Sequence, residues 1–310
     1  LGLTVVLADE DRQKDPIAME AAVERYGVDM LQLTPSRLQL LWSSRDESTA
    51  LSGLRHVRDL MVGGEAFPPA LLANVKQRFN GNIFNMYGPT ETTIWSAVKD
   101  LTNTPPEEMT IGKPIANTRL LVLSPKFKLQ PVGVPGELFI GGDGVARGYL
   151  NSMEQTSGGF LPTDWHRICA KNSKGFCIYL NNALGHCGKQ GLEFNRVLYR
   201  TGDLVRWLET GEIEFLGRLD FQVKIRGFRI ELGEIERRLS CFPGIGEVVV
   251  VARNDGGQTD GAGTYLAAYY VEDRHQNTDG NPDEAEQLDI GDVRQFLGDS
   301  LPHYMIPDFF

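Results

Sequence analysis

Three features of the 310-residue chain predict an α/β architecture: a parallel-sheet subdomain, then a small β-rich subdomain, then a small α+β C-terminal domain. Over residues 1–110, short apolar runs alternate with amphipathic stretches, the pattern of strands joined by helical crossovers. Over 111–219, helical periodicity gives way to brief β segments punctuated by glycine and proline. From 220 to 310, a hairpin, a helix, two strands and a last helix follow one another.

In order, the first part reads as a strand from Leu3 to Leu7, a helix near Ile17 to Tyr26, a strand from Met30 to Leu33 and a helix after Pro35. A strand from Leu60 to Val62, a helix from Pro68 and a strand from Ile83 to Met86 complete it. Thr34 before Pro35 supplies a capping hydroxyl and a first helical position where the missing N–H costs nothing. Leu71, Leu72, Val75 and Phe79 recur at helical spacing and form an inward stripe. Two loops, Gly63-Gly64-Glu65-Ala66 and Tyr87-Gly88-Pro89-Thr90-Glu91, fall at strand ends, where open α/β sheets bind ligands. Thr118 to Leu123 and Glu137 to Ile140 are strands of the β-rich part. Beyond it, Val223 and Ile225 share one strand face and Lys224 and Arg226 the other; past Gly227 the apolar parity flips to Phe228 and Ile230, which predicts a turn. Leu232, Ile235 and Leu239 at helical spacing, with Glu231, Glu234 and Glu236 crowding the positive end of the dipole, predict a helix. Strands Glu247 to Ala252 and Tyr265 to Val271 and a helix near Ile290 to Leu297 follow, separated by polar loops at Asn254 to Gly263 and Arg274 to Glu286.

A hydrophobic content of 41% supports a sizeable core and more than one domain. The net charge of −10 argues against nonspecific nucleic-acid or anionic-membrane binding, although the strip Lys224, Arg226 and Arg229 suits an acidic partner locally. No apolar run approaches membrane-spanning length and no signal peptide opens the chain, so the expectation is cytoplasmic residence. Cys169, Cys177 and Cys187 share one irregular stretch with His166 and His186, and Cys241 lies further on. Their spacing lacks the paired Cys-x-x-Cys sets of zinc sites, which favours reduced thiols over a structural metal.

Five ordered blocks carry chemistry: Asn85-Met86-Tyr87-Gly88-Pro89-Thr90-Glu91, the run from Gly136-Glu137-Leu138 to Gly148-Tyr149-Leu150, Tyr199-Arg200-Thr201-Gly202-Asp203-Leu204, the segment Gly217 to Glu236, and Leu301-Pro302-His303-Tyr304-Met305-Ile306-Pro307. Together they resemble the adenylation domains of nonribosomal peptide synthetases, members of the wider acyl-adenylate-forming, AMP-binding superfamily. The resemblance implies activation of an amino acid with ATP and Mg²⁺ to an aminoacyl adenylate, then transfer to the phosphopantetheine thiol of a partner carrier domain. Neighbouring synthetase modules are further implied partners. Within it, Glu91 would hold Mg²⁺, a hard cation that prefers carboxylate oxygen, and Thr90 would bond the α-phosphate. Asp203 would accept both ribose hydroxyls, Arg218 would contact ribose or phosphate oxygens, and Tyr87 with the backbone of Gly64, Glu65 and Ala66 would surround adenine, with Asn85 at its amino group. Asp220 would be the hinge of a C-terminal lid whose hairpin, Lys224, Arg226 and Gly227, approaches the site at the thioester stage.

On residue types alone, other readings stay open. Thr90, Glu91 and Thr93 suit a capped turn opening a helix, Asp203 an Asx turn, Tyr87 a core aromatic, and Arg218 with Asp220 a surface ion pair. The resemblance also points to a side-chain pocket of Gln32, Met61, Gly63, Met86, Ile94 and Trp95, a bulky set that leaves room for little beyond hydrogen and implies glycine. Ile94 and Trp95 would otherwise be the core face of a helix after Glu91. The family's phosphate loop and its lysine-bearing end have no counterpart here, so the expectation is a fragment that alone is inactive. The stretch at about 161–197 departs from the family pattern as an irregular insertion. Competing readings are a stand-alone acyl- or aryl-acid coenzyme A ligase and a non-catalytic nucleotide-binding fragment.

Overall fold

The computed structural model describes residues 4–9, 12–13, 15–44, 51–162, 197–254, 264–272 and 288–310, and the chain divides into two units, Leu1–Asp220 and Phe221–Phe310. In the first unit, helix α1 (Pro16–Arg25) starts at Asp15, whose carboxylate accepts the Ile17 and Ala18 N–H groups at 2.9 and 3.2 Å. Strand β1 (Met30–Leu33) runs into helix α2 (Pro35–Ser43) through Thr34, whose hydroxyl caps the Arg37 N–H at 3.4 Å. Strand β2 (Asp59–Gly63), helix α3 (Pro69–Lys76) and strand β3 (Asn82–Tyr87) continue the alternation. Strands β1, β2 and β3 pair in parallel, and β4 (Ala97–Asp100) and β5 (Lys113–Pro114) extend the sheet antiparallel. Leu31, Leu33, Leu60, Val62 and Ile83 cover one sheet face, against Leu38, Leu41, Leu71, Leu72 and Val75 of the helices. Each such side chain contributes about 1.5–3 kcal/mol on burial, and helices this short depend on that packing more than on propensity.

Of the expected strand from Leu3 to Leu7, Leu3 lies outside the described residues and the remainder forms no strand. Residues 4–9 have no regular structure, and Val5 and Leu7 are 77% and 85% exposed. Strand β1 is the sheet's edge. An apolar run becomes a strand only where a neighbour satisfies its backbone groups, and none pairs here.

The second sheet of this unit comprises β6 (Thr118–Leu123), β7 (Gly136–Gly142), β8 (Phe160–Pro162), β9 (Val197–Trp207) and β10 (Ile213–Arg218). It is antiparallel, in the order β10-β9-β7-β6 with β8 against β9, and helix α4 (Met153–Gly159) precedes β8. Leu120, Val122, Leu138, Ile140, Val205 and Ile213 bury themselves with Ala97, so the two sheets share an apolar seam beside Tyr87. Residues 163–196, with Cys169, Cys177 and Cys187, lie outside the described residues, as do 255–263 and 273–287 of the two expected polar loops.

In the second unit, β11 (Val223–Ile225) and β12 (Phe228–Ile230) form the expected hairpin, with Arg226 and Gly227 both at positive φ, 52° and 83°. Two left-handed central residues are what a two-residue turn of matching twist requires. Helix α5 (Leu232–Leu239), strands β13 (Ile245–Asn254) and β14 (Thr264–Glu272) and helix α6 (Ile290–Gly298) complete the unit around Ile230, Ile235, Leu239, Val250, Leu266, Val293 and Leu297. Glu236 accepts the Val250 N–H at 2.9 Å and ties α5 to β13. Cys241 is an exposed free thiol. Among the described residues, no helix is long and apolar enough to cross a membrane.

Candidate active site

The parallel strands β2 and β3 end in the two motif loops, and β9 and β10 bring two more charged groups to the same unit. Asp203 on β9 is the register partner of Arg218 on β10. Arg218 donates from Nη1 to Asp203 Oδ1 at 2.9 Å and to the Thr201 carbonyl at 2.9 Å, and from Nε to Asp220 Oδ1 at 2.8 Å, while Nη2 bonds Asp220 Oδ2. The Tyr87 hydroxyl donates to Asp203 Oδ2. Asp203 is 7% exposed, and its N–H donates to Thr201 Oγ1 at 3.0 Å. Gly202 stands at φ 73°, and a Cβ there would lie 2.8 Å from Asp220 Oδ2 and 3.0 Å from Arg218 Nη2, so glycine is what lets this cluster close.

The electrostatics of the cluster are one-signed in purpose. Burial, then the Asp203 charge, raises the Tyr87 pKa well above that of an ordinary phenol, which keeps the hydroxyl a donor. Burial would lower the Arg218 pKa, but hydrogen bonds and charge from Asp220 and Asp203 outweigh it and leave it raised. A carboxylate offers about four lone-pair sites. After Tyr87 and Arg218, Asp203 still has capacity for two further donors.

The segment after β3 decides against the alternative reading of a capped turn that opens a helix. No helix opens after Glu91: Thr90–Thr92 is a single 3₁₀ turn, followed by Thr93 and Ile94 at φ 63° and 73°. Left-handed backbone at two β-branched residues stores roughly 1–3 kcal/mol each, which neighbouring contacts must offset. Those contacts come from the loop after β7, where Ala146 N–H donates to the Glu91 carbonyl at 2.8 Å and Thr93 Oγ1 donates to the Gly144 carbonyl at 2.7 Å. Glu91 is consequently buried, 8% exposed, and its Oε1 accepts the Tyr149 hydroxyl at 2.6 Å. Thr90 is exposed on the turn. Sequence reasoning assigned Tyr149 no role, since nothing in a local pattern joins residues 58 positions apart.

The loop after β2 spends its side chain on the fold. Glu65 Oε2 accepts the Ser36 N–H at 3.1 Å and the Ser36 hydroxyl, capping α2, so the loop offers its surroundings mainly the backbone of Gly64, Glu65 and Ala66. Asn85 is buried and donates from Nδ2 to the Thr110 carbonyl at 2.8 Å, which orients its amide. The sheet face opposite the helices carries Gln32 beside Met61 and Gly63 beside Met86 in register. Trp95 closes over Gly63: a Cβ there would meet the indole at 2.8 Å and the Met86 carbonyl oxygen at 2.2 Å. Ile94, in contrast, is 57% exposed and joins none of the apolar clusters of the described residues. Lys224, Arg226 and Gly227 belong to the second unit's hairpin, where Lys224 pairs with Arg229 across the strands.

No group of three or more His, Cys, Asp and Glu among the described residues could hold a metal. A lone buried carboxylate such as that of Glu91 is compatible with Mg²⁺, which takes one or two carboxylates together with substrate phosphate oxygens.

Residues 1–150 match the family described as AMP-binding enzyme. A dimodular nonribosomal peptide synthase of Bacillus subtilis (strain 168) is 36% identical over the whole chain, which spans 11% of that protein's length. Among solved structures, NpsA-ThdA, an artificially fused adenylation–PCP di-domain synthetase from Klebsiella oxytoca, superposes with a TM-score of 0.68 over 98% of this chain and 47% of its own, at 24% identity, a likeness of fold. AB3403, a four-domain nonribosomal peptide synthetase solved bound to AMP and glycine, is 34% identical over 98% of this chain and 19% of its own, with a TM-score of 0.52. With the motif blocks in family order and relatives matching across the whole chain, the chain belongs to the AMP-binding enzymes and, within them, to the adenylation domains of nonribosomal peptide synthetases.

Proposed function

We propose that the chain serves in the cytoplasm to activate glycine with ATP and Mg²⁺ and to deliver it to the phosphopantetheine thiol of a carrier domain within a modular synthetase. The observation that carries the reading is the buried cluster of Tyr87, Asp203 and Arg218, an acceptor-rich carboxylate flanked by an aromatic ring and a fixed cation. In the first half-reaction an amino-acid carboxylate oxygen bonds to the α-phosphorus of ATP while the bond from that phosphorus to the β-bridging oxygen breaks, releasing pyrophosphate. Two anions must meet, so rate comes from charge neutralisation and alignment. Asp203 takes the ribose hydroxyls, Arg218 offsets phosphate charge and the Thr90 hydroxyl bonds the α-phosphate; Glu91 would hold Mg²⁺, which would supply neutralisation of the phosphate charge. The Gly64–Ala66 backbone, Asn85 and Tyr87 surround adenine. In the second half-reaction the thiol sulfur attacks the carbonyl and AMP leaves; the hinge at Asp220 and the hairpin of Lys224, Arg226 and Gly227 serve this stage.

Glycine is supported by Trp95 lying against Gly63, with Met61 and Met86 beside it, and by the relative solved with glycine bound. Gln32 and Ile94 complete the proposed pocket. ATP–pyrophosphate exchange across an amino-acid panel, using the full-length protein, tests it. Glycine should give the fastest exchange, with alanine behind by about one methylene's worth, 1–3 kcal/mol. Preference for a large aromatic acid would refute the substrate, and thioester formation with free coenzyme A but no carrier would favour the stand-alone ligase.

A further inference from the structure

We infer that Tyr149 is a positioning residue that orients the Glu91 carboxylate for Mg²⁺; the inference rests on the adenylation reading above. The phenol hydroxyl donates to Glu91 Oε1 at 2.6 Å, and Glu91 is 8% exposed, so this bond is made largely out of water. Tyr149 is itself fixed at two points. Its ring meets Phe160 edge-on at 5.4 Å between centroids, its N–H donates to Thr156 Oγ1 at 2.9 Å, and that hydroxyl donates on to the Ser152 carbonyl at 2.7 Å at the start of α4. Phe160 in turn packs on Tyr199 at 5.2 Å.

Glu91 therefore receives a donor built on a rigid aromatic stack, and its main chain is tied to the same loop by the Ala146 N–H. A donor on one oxygen settles the torsion of the carboxylate while leaving lone pairs for a cation. Residues that orient a metal ligand in this way change metal affinity about 10–100-fold when their hydrogen bond is removed. Tyr149→Phe removes one oxygen and keeps the ring, so the aromatic packing survives.

The test uses full-length protein and a fluorescent ATP analogue, titrated with Mg²⁺, beside the corresponding AMP analogue without metal. In Tyr149→Phe the half-saturating Mg²⁺ concentration should rise about tenfold or more, with metal-free AMP-analogue binding unchanged. A purely structural role would weaken both, and an unchanged Mg²⁺ response would likewise overturn the inference. Glu91→Gln should abolish the metal response, and adding Tyr149→Phe to it should change nothing further; additive losses in that cycle would refute the coupling. If wild-type protein shows no Mg²⁺-dependent binding, the adenylation reading itself fails. If wild type shows it and Tyr149→Phe retains it, only the Tyr149 assignment fails.

Discussion

Under the proposed function Asp203 would join stability to nucleotide recognition, and two substitutions test this. Asp203→Ala takes the acceptor from the Tyr87 hydroxyl and one of three from Arg218, which keeps Asp220 and the Thr201 carbonyl. Hydrogen bonds to charged groups contribute about 1.5–3 kcal/mol each, so two lost bonds cost roughly 3–6 kcal/mol, and the surviving Arg218 contacts place the expected value near 4. The cost of breaking a buried ion pair, about 3–5 kcal/mol, agrees. Asp203→Asn keeps a carbonyl oxygen for Arg218, and its amide can donate to the Tyr87 oxygen once that hydroxyl turns, so the expected loss is only about 1–2 kcal/mol. Urea unfolding reads both, with the midpoint moving at constant slope. If Asp203 accepts the ribose hydroxyls as proposed, AMP affinity should fall about tenfold to more than a hundredfold in the alanine variant. An alanine variant within 1 kcal/mol of wild type by the same scale, or an asparagine variant equally damaged, would refute the reasoning.

Four other perturbations follow from the geometry. Gly63→Ala would set a Cβ 2.2 Å from a backbone oxygen that cannot yield, so urea unfolding should show a loss of at least about 1–3 kcal/mol. Trp95→Ala opens the space over Gly63, and in pyrophosphate exchange the glycine-over-alanine ratio should fall about tenfold or more; an unchanged ratio would remove Trp95 from the pocket. Asp220→Pro fixes φ at the end of the first unit and should spare one half-reaction while impairing the other, beyond the effect of Asp220→Ala, which removes the ion pair with Arg218 without fixing φ; equal loss of exchange and thiol loading would argue against a hinge. The Tyr87 pKa is raised above its unfolded value near 10, so its stabilisation is complete below that pH and declines above it as the unfolded chain sheds the proton first. Over that alkaline range wild-type stability should fall more steeply than that of Tyr87→Phe by about 1.4 kcal/mol per pH unit, measured by urea unfolding; parallel profiles would contradict the shift.

Elements whose residues obey one local period were legible before the structure. Met30–Leu33 and Thr118–Leu123 are strands at the expected bounds, and the Leu71, Leu72, Val75 stripe and the Leu232, Ile235, Leu239 stripe are both buried, because burial on one face is what their spacing encodes. The Leu3–Leu7 expectation fails for the complementary reason: apolar composition says nothing about whether an edge has a partner. The motif blocks named Tyr87, Asp203, Arg218 and Asp220, yet not that they form one hydrogen-bonded chain, since the Tyr87–Asp203 bond spans 116 positions. Glu91 was legible as a candidate ligand, but the left-handed turn at Thr93 and Ile94, which stands where the alternative reading placed a helix, depends on a loop more than fifty residues away.

The central claim is that the loops after β2 and β3, with Asp203 and Arg218, enclose a nucleotide, and photolabelling with an azido-adenine ATP analogue followed by peptide mapping tests it directly. Label should concentrate on the peptides holding Gly63–Ala66 and Asn82–Glu91, compete with excess ATP, and fall sharply in Asp203→Ala. Competable label confined to other peptides, or label indifferent to Asp203, would contradict it.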